Sequence, residues 1–211
     1  MKLARGDEWR NLSIGSTARR DKPAERGIIH MIRAILATFT SFLLSGCTTS
    51  RDLPPLEKVA SVDLKRFMGD WYVIANIPTF VEKGAHNAIE HYALNDDGTI
   101  AIRFTFHKDA IDGPLKTFRM TGTPVEGTNN AEWKVSPFWP VRFPYYTVEL
   151  DAEYNWVVVA TPNRGYLWIM ARTPDMDQNL LKSLIDRMIA RGFDPAKIQK
   201  VPQRWPTSAP R

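Results

Sequence analysis

From Thr99 to His107 the chain reads TIAIRFTFH, with apolar and polar residues alternating along it. Successive side chains of an extended strand point to opposite faces. Ile100, Ile102, Phe104 and Phe106 therefore share one face, and Ala101, Arg103, Thr105 and His107 the other. Seven more segments rich in β-branched and aromatic residues read as strands: 71–75, 89–94, 117–123, 131–136, 145–150, 156–161 and 166–172. Turn signals separate them, among them Asn95-Asp-Asp-Gly98, Gly127-Thr-Asn-Asn130 and Pro162-Asn-Arg-Gly165. Eight strands in sequence with mostly hairpin-length connections predict an all-β fold. The architecture expected is an eight-stranded antiparallel up-and-down β-barrel, since closure leaves no sheet edge exposed.

The last strand breaks the alternation. Tyr166, Trp168 and Met170 lie on one face and Leu167 and Ile169 on the other, so its outer face needs a cover. The next segment supplies one. Met176, Leu180, Leu181, Leu184, Ile185, Met188 and Ile189 form a single stripe on a helix predicted over 175–191, with Gly192 placed to end it. Ahead of the first strand, Asp63 to Gly69 predicts a short capped helical turn.

The N-terminal pattern is of another kind. Residues 1–30 are polar, arginine-rich and without apolar periodicity, as expected of a disordered extension or an over-extended start. Residues 31–46 contain a charged start at Arg33, an apolar run over 34–44 and the small residues Ser45 and Gly46. This is the layout of a secretory signal, and the run is about half the ~20 residues of a spanning helix. Leu44-Ser45-Gly46-Cys47 resembles the lipobox of bacterial lipoproteins, which implies a lipid attached at Cys47 and a cleaved segment before it. Two or more acyl chains give stable membrane anchoring. Thr48 follows where some bacteria place a retention aspartate, which favours the outer membrane. Residues 47–61, stiffened by Pro54-Pro55, read as a linker, 62–202 as the folded domain and 203–211 as a flexible tail.

Composition limits the possible functions. The chain has 211 residues, a net charge of +5 and a pI near 9.4. Residues 1–46 hold 8 Lys and Arg against 4 Asp and Glu, leaving 20 against 19 in residues 47–211. The basic balance is thus an N-terminal property, and no basic stripe marks a nucleic-acid partner. No phosphate-binding loop, dinucleotide fingerprint or nucleophile elbow appears, so neither cofactor nor enzymatic activity is expected. His86, Glu90 and His91 are close in sequence, but Glu90 and His91 point to opposite faces of a strand and lack a third His or a Cys nearby. No metal is expected there. Cys47 is the only cysteine and precedes the barrel, which removes thiol catalysis inside it.

Gly69-Asp-Trp71-Tyr in the first strand, Leu150-Asp151-Ala-Glu-Tyr154 at a late turn and Arg172 closing the last strand resemble the three sequence motifs of the lipocalins. The detail is similar to the bacterial outer-membrane lipocalins, themselves similar to apolipoprotein D. The resemblance implies that Gly69, Trp71, Asp151 and Arg172 are structural, with Arg172 stacked on Trp71 at the closed end. It also implies a small hydrophobic ligand, such as a fatty acid or lysophospholipid, held inside the barrel. Candidate inward residues are Ile100, Ile102, Phe104 and Phe106 of the third strand and Met120 of the fourth. Trp133 and Val135 of the fifth follow, then Tyr166, Trp168 and Met170 of the last, with Tyr92 and Tyr145 adding polar tips. An eight-stranded barrel either fills with such side chains or holds one small ligand, and both readings stay open. Glu90 faces the interior if the family pattern holds, as a buried carboxylate with a raised pKa or a cationic partner. The loop 138–144, FWPVRFP, is expected to line a mouth, touch membrane or form a rigid hairpin tip. A monomer or weak homodimer is expected, anchored to membrane through Cys47 with its domain facing the periplasm or the cell surface.

Overall fold

A computed structural model describes residues 53–205. Residues 1–52, including Cys47 and the signal-like segment, lie outside them, as do residues 206–211. After a single helical turn, α1 (Leu64–Phe67), come eight antiparallel strands: β1 (Gly69–Ile77), β2 (Ala85–Leu94), β3 (Ile100–Lys108) and β4 (Leu115–Pro124), then β5 (Glu132–Ser136), β6 (Phe143–Leu150), β7 (Trp156–Ala160) and β8 (Leu167–Ala171). Each pairs with its sequence neighbour, and β1 pairs with both β8 and β2, which closes the barrel. All eight predicted strands are present. In β3 the predicted parity holds, with Ile100, Ile102, Phe104 and Phe106 buried.

Helix α2 (Gln178–Ala190) covers the outside of β8, whose five residues are all buried. Leu181, Leu184 and Met188 pack with Leu167, Ile169 and Val158 in an apolar layer separate from the barrel interior. The helix is shorter than its apolar pattern because Asp177 caps it, accepting from the Leu180 amide at 2.9 Å. Glu149 on β6 fixes its far end through ion pairs to Arg187 at 2.8 Å and Arg191 at 3.1 Å.

Two segments depart from expectation. Residues 53–61, predicted as a spacer, pack against the barrel. Leu56 is buried, the Val59 amide donates to the Thr147 carbonyl at 2.9 Å, and Lys58 pairs with Glu132 at 2.6 Å. The start of the predicted loose tail is also held, for a reason built into the closing seam. β1 and β2 pair only over Gly69–Tyr72 and then diverge. A ninth short strand, β9 (Gln199–Lys200), takes the free edge of β1, and the Val201 amide bonds the Ile74 carbonyl. Gln203 then donates to both the Val73 and Ala88 carbonyls, at 2.8 and 3.2 Å. Asn87 exchanges two hydrogen bonds with the backbone of Arg204, and Trp205 meets Tyr72 edge-on. Residues 199–205 thus form a strap that satisfies backbone groups left free where the seam opens.

Candidate functional site

The two ends of the barrel differ chemically. At the closed end, the Arg172 guanidinium lies 3.7 Å from the centroid of the Trp71 ring. It also donates to the carbonyls of Asp70 at 2.9 Å, Arg66 at 2.6 Å, Phe67 at 3.1 Å and Tyr154 at 3.3 Å. Arg66 and Phe67 end α1, so Arg172 supplies donors to carbonyls the helical turn cannot satisfy itself. Gly69 suits the backbone beside it: its φ is +98°, a conformation L side chains rarely adopt, while a Cβ there would only reach contact with the guanidinium at 3.4 Å. Asp151 shapes the neighbouring turn by accepting from the Asn155 amide at 3.1 Å and its side chain at 2.9 Å. In the same turn, Tyr154 accepts from the Asp63 amide at 2.8 Å. All four motif residues therefore sit in the closed end.

Above this base the interior is filled by aromatic packing. Phe67 touches Trp71, Tyr92 and Trp133 with ring centroids 5.1 to 5.3 Å apart. Gly122 on β4 leaves room for the indole, since a Cβ would stand 3.3 Å from Trp133 and from Ile102. Tyr92, Ile100, Trp133 and Met170, candidates for the ligand site, are buried in this filled half and do not line the cavity. Their strand positions lie too close to the closed end.

The other half is hollow. A cavity of about 400 Å³ opens at the end formed by the β1–β2, β3–β4, β5–β6 and β7–β8 connections. Of the candidates, Ile102, Phe104, Met120, Val135, Tyr145 and Trp168 line it. Phe106 instead packs between Phe104 and Phe118, and Tyr166 lies half-exposed beside Trp168 without joining the wall. Phe118 and Phe143 also line the cavity. Phe118 shares the parity of Met120, which was the available signal for it. The mouth is rimmed by exposed Phe80 and Phe138, and Trp139 beside them is 83% exposed. The 138–144 loop thus stands at the mouth.

Two carboxylates face the apolar cavity. Glu90 is 3% exposed and opposite Trp71 in the register, so it points inward while His91 points out to Asp70 at 2.6 Å. Glu90 Oε2 accepts from the Tyr92 hydroxyl and lies 3.4 Å from that of Tyr145, and the two hydroxyls bond each other. Burial pushes the Glu90 carboxyl up to about 7; the nearby Glu82 adds to the rise, while the tyrosine hydrogen bonds oppose it. Burial also raises Glu82, against the pull of hydrogen bonds from the Thr79 amide at 2.7 Å and the Trp168 indole at 3.1 Å. Tyr92 and Tyr145 are held neutral, far above the ordinary phenol range, first by burial and then by the charge of Glu90. Neither glutamate has an ion pair among the described residues. The family resemblance pointed to Glu90; Glu82, in the connection before Lys83-Gly84, had no comparable signal.

Comparison with known proteins agrees with this architecture. Residues 62–203 match the family described as Lipocalin-like domain. Over 174 residues the chain is 30% identical to the Outer membrane lipoprotein Blc of Vibrio cholerae, spanning 82% of this chain and all of that protein. It is 30% identical to the Blc lipoprotein of Escherichia coli K12, over 83% of this chain and 98% of that one, and 28% identical to Apolipoprotein D of Macaca fascicularis, over 74% and 82%. Among solved structures, insecticyanin from the tobacco hornworm superposes with a TM-score of 0.55 at 15% identity, covering 74% of this chain and 88% of that one. Motifs at the closed end, a single closed eight-stranded barrel and a family match over most of the folded part place this chain in the lipocalin family.

Proposed function

We propose that the protein is a lipid-anchored carrier that binds a single-chain hydrophobic ligand, such as a fatty acid or lysophospholipid, at the bacterial envelope. The observation that carries this reading is the cavity of about 400 Å³, apolar in its walls and open at one end, in a barrel otherwise packed solid. That size lies within the range of small-molecule sites, and such sites combine apolar walls with a few placed polar groups. Exposed Phe80, Phe138 and Trp139 give the ligand an apolar route from a lipid surface to the mouth.

Anchoring rests on Cys47 and the signal-like residues before it, and on similarity to proteins named as outer membrane lipoproteins. Acylation at Cys47 would tether the barrel while leaving its cavity free to load and unload. Mass spectrometry of the native protein tests this directly. The expected N-terminal peptide begins at acylated Cys47, and an unmodified Cys47 within a longer peptide would remove the anchor. Fluorescence titration tests the carrier role, because Trp168 lines the cavity. Saturable one-to-one quenching by fatty acids or lysophospholipids is expected; no response to any single-chain lipid would leave the hollow half without a ligand.

A further inference from the structure

We infer that the inner end of the cavity selects a ligand whose polar head is a hydrogen-bond donor carrying positive charge, so that single-chain amines bind there in preference to single-chain carboxylates. This rests on the carrier reading and specifies its ligand class.

The two glutamates stand in the cavity wall. Glu90 uses Oε2 for the tyrosine hydroxyls, while Oε1 accepts no hydrogen bond among the described residues. That oxygen belongs to a side chain only 3% exposed and is open to the apolar cavity, where a charged donor is held more strongly than in water. Glu82 places a second carboxylate close enough to act on the first. The cation nearest to hand does not answer them. Arg119 contributes to the cavity wall but stands opposite Arg103, on the outward parity of β4, and is exposed. Tyr92 and Tyr145, the other titratable groups facing Glu90, stay neutral. The inner end therefore offers negative charge and acceptor capacity with no cation to balance them. An ammonium head on an alkyl chain matches both the carboxylates and the walls. A carboxylate head at the same depth would meet the Glu90 carboxylate once that group is ionised, so an anionic lipid is left with its head toward the mouth.

The test uses the full-length protein and three probes of equal chain length, dodecylamine, dodecanol and dodecanoate, each titrated against intrinsic tryptophan fluorescence, to which Trp168 in the cavity wall contributes. At pH 8 the amine is expected to bind at least about tenfold more tightly than dodecanoate. Glu90→Gln should remove most of that advantage, and Glu82→Gln part of it, while far-UV circular dichroism matching the parent shows that both variants keep the barrel. Lowering the pH from 8 to 6 should weaken amine binding in the parent as Glu90 takes up a proton, and leave the Glu90→Gln variant less affected. Equal or tighter binding of dodecanoate, or unchanged amine affinity in Glu90→Gln, would overturn the inference while leaving the carrier reading in place. Binding of none of the three would overturn both.

Discussion

Arg172 lies face-on over Trp71 at 3.7 Å while its nitrogens donate to four backbone carbonyls around the barrel base. The pair is remote from the cavity, with the filled aromatic half between them. Arg172→Ala removes the cation–π contact and the guanidinium donors at the end of α1, where the Phe67 carbonyl keeps only its bond from the Trp71 indole at 2.8 Å. The expected loss of stability is about 2–4 kcal/mol, with ligand affinity unchanged. Urea unfolding beside lipid titration checks both; weakened binding at unchanged stability would contradict a structural role.

The strap over the β1–β2 seam predicts a contribution from a region whose composition looks dispensable. Gln203→Ala leaves the Val73 and Ala88 carbonyls without their shared donor and should cost about 1–3 kcal/mol. Asn87 carries both bonds to Arg204 and has a φ of 49°. Asn87→Ala is expected to destabilise more than Asn87→Gly, since alanine adds the left-handed backbone penalty to the lost bonds. Thermal melts of the three variants test this order.

Helix α2 is required because β8 is apolar on both faces. Leu184 is fully buried between helix and sheet, so Leu184→Ala should cost about 2–5 kcal/mol. The barrel interior is a separate apolar cluster, so lipid affinity measured below the melting transition should stay near that of the parent.

Glu90 makes stability depend on pH in the direction opposite to that of a salt-bridged carboxylate. Its folded value of about 7 lies above the ordinary 4.5, so between these limits the folded state keeps a proton that the unfolded chain releases. The stabilisation is complete below pH 4.5 and is lost as the pH rises through 7, by roughly 1 kcal/mol per unit. The melting temperature should fall from pH 5 to pH 8, and Glu90→Gln should flatten that slope. Glu82, raised in the same direction, leaves a residual slope in the variant.

Strand parity made most of this fold legible. Alternation in 99–107 gave the inner face of β3, and the doubly apolar 166–172 called for the helix that covers it. Parity does not report depth along the barrel axis, however. Ile100 and Ile102 share a face, yet Ile100 is packed into the filled half and Ile102 lines the cavity. The same limit separates Tyr92 from Tyr145. Glu82 was invisible for another reason: it lies outside the strands, and only folding of the β1–β2 connection over the mouth buries it against Trp168. The strap has no local signature: its Gln and Asn contacts join positions more than 110 residues apart, and nothing in the proline-rich sequence around them marks them.

A crystal structure of the protein with a bound single-chain lipid tests the central claim most directly, since the hollow half of the barrel is what distinguishes a carrier from a filled module. The account predicts an alkyl chain lying among Ile102, Phe104, Met120, Val135 and Trp168. A chain bound only outside the barrel, or a cavity closed by its own side chains in the presence of lipid, would contradict it.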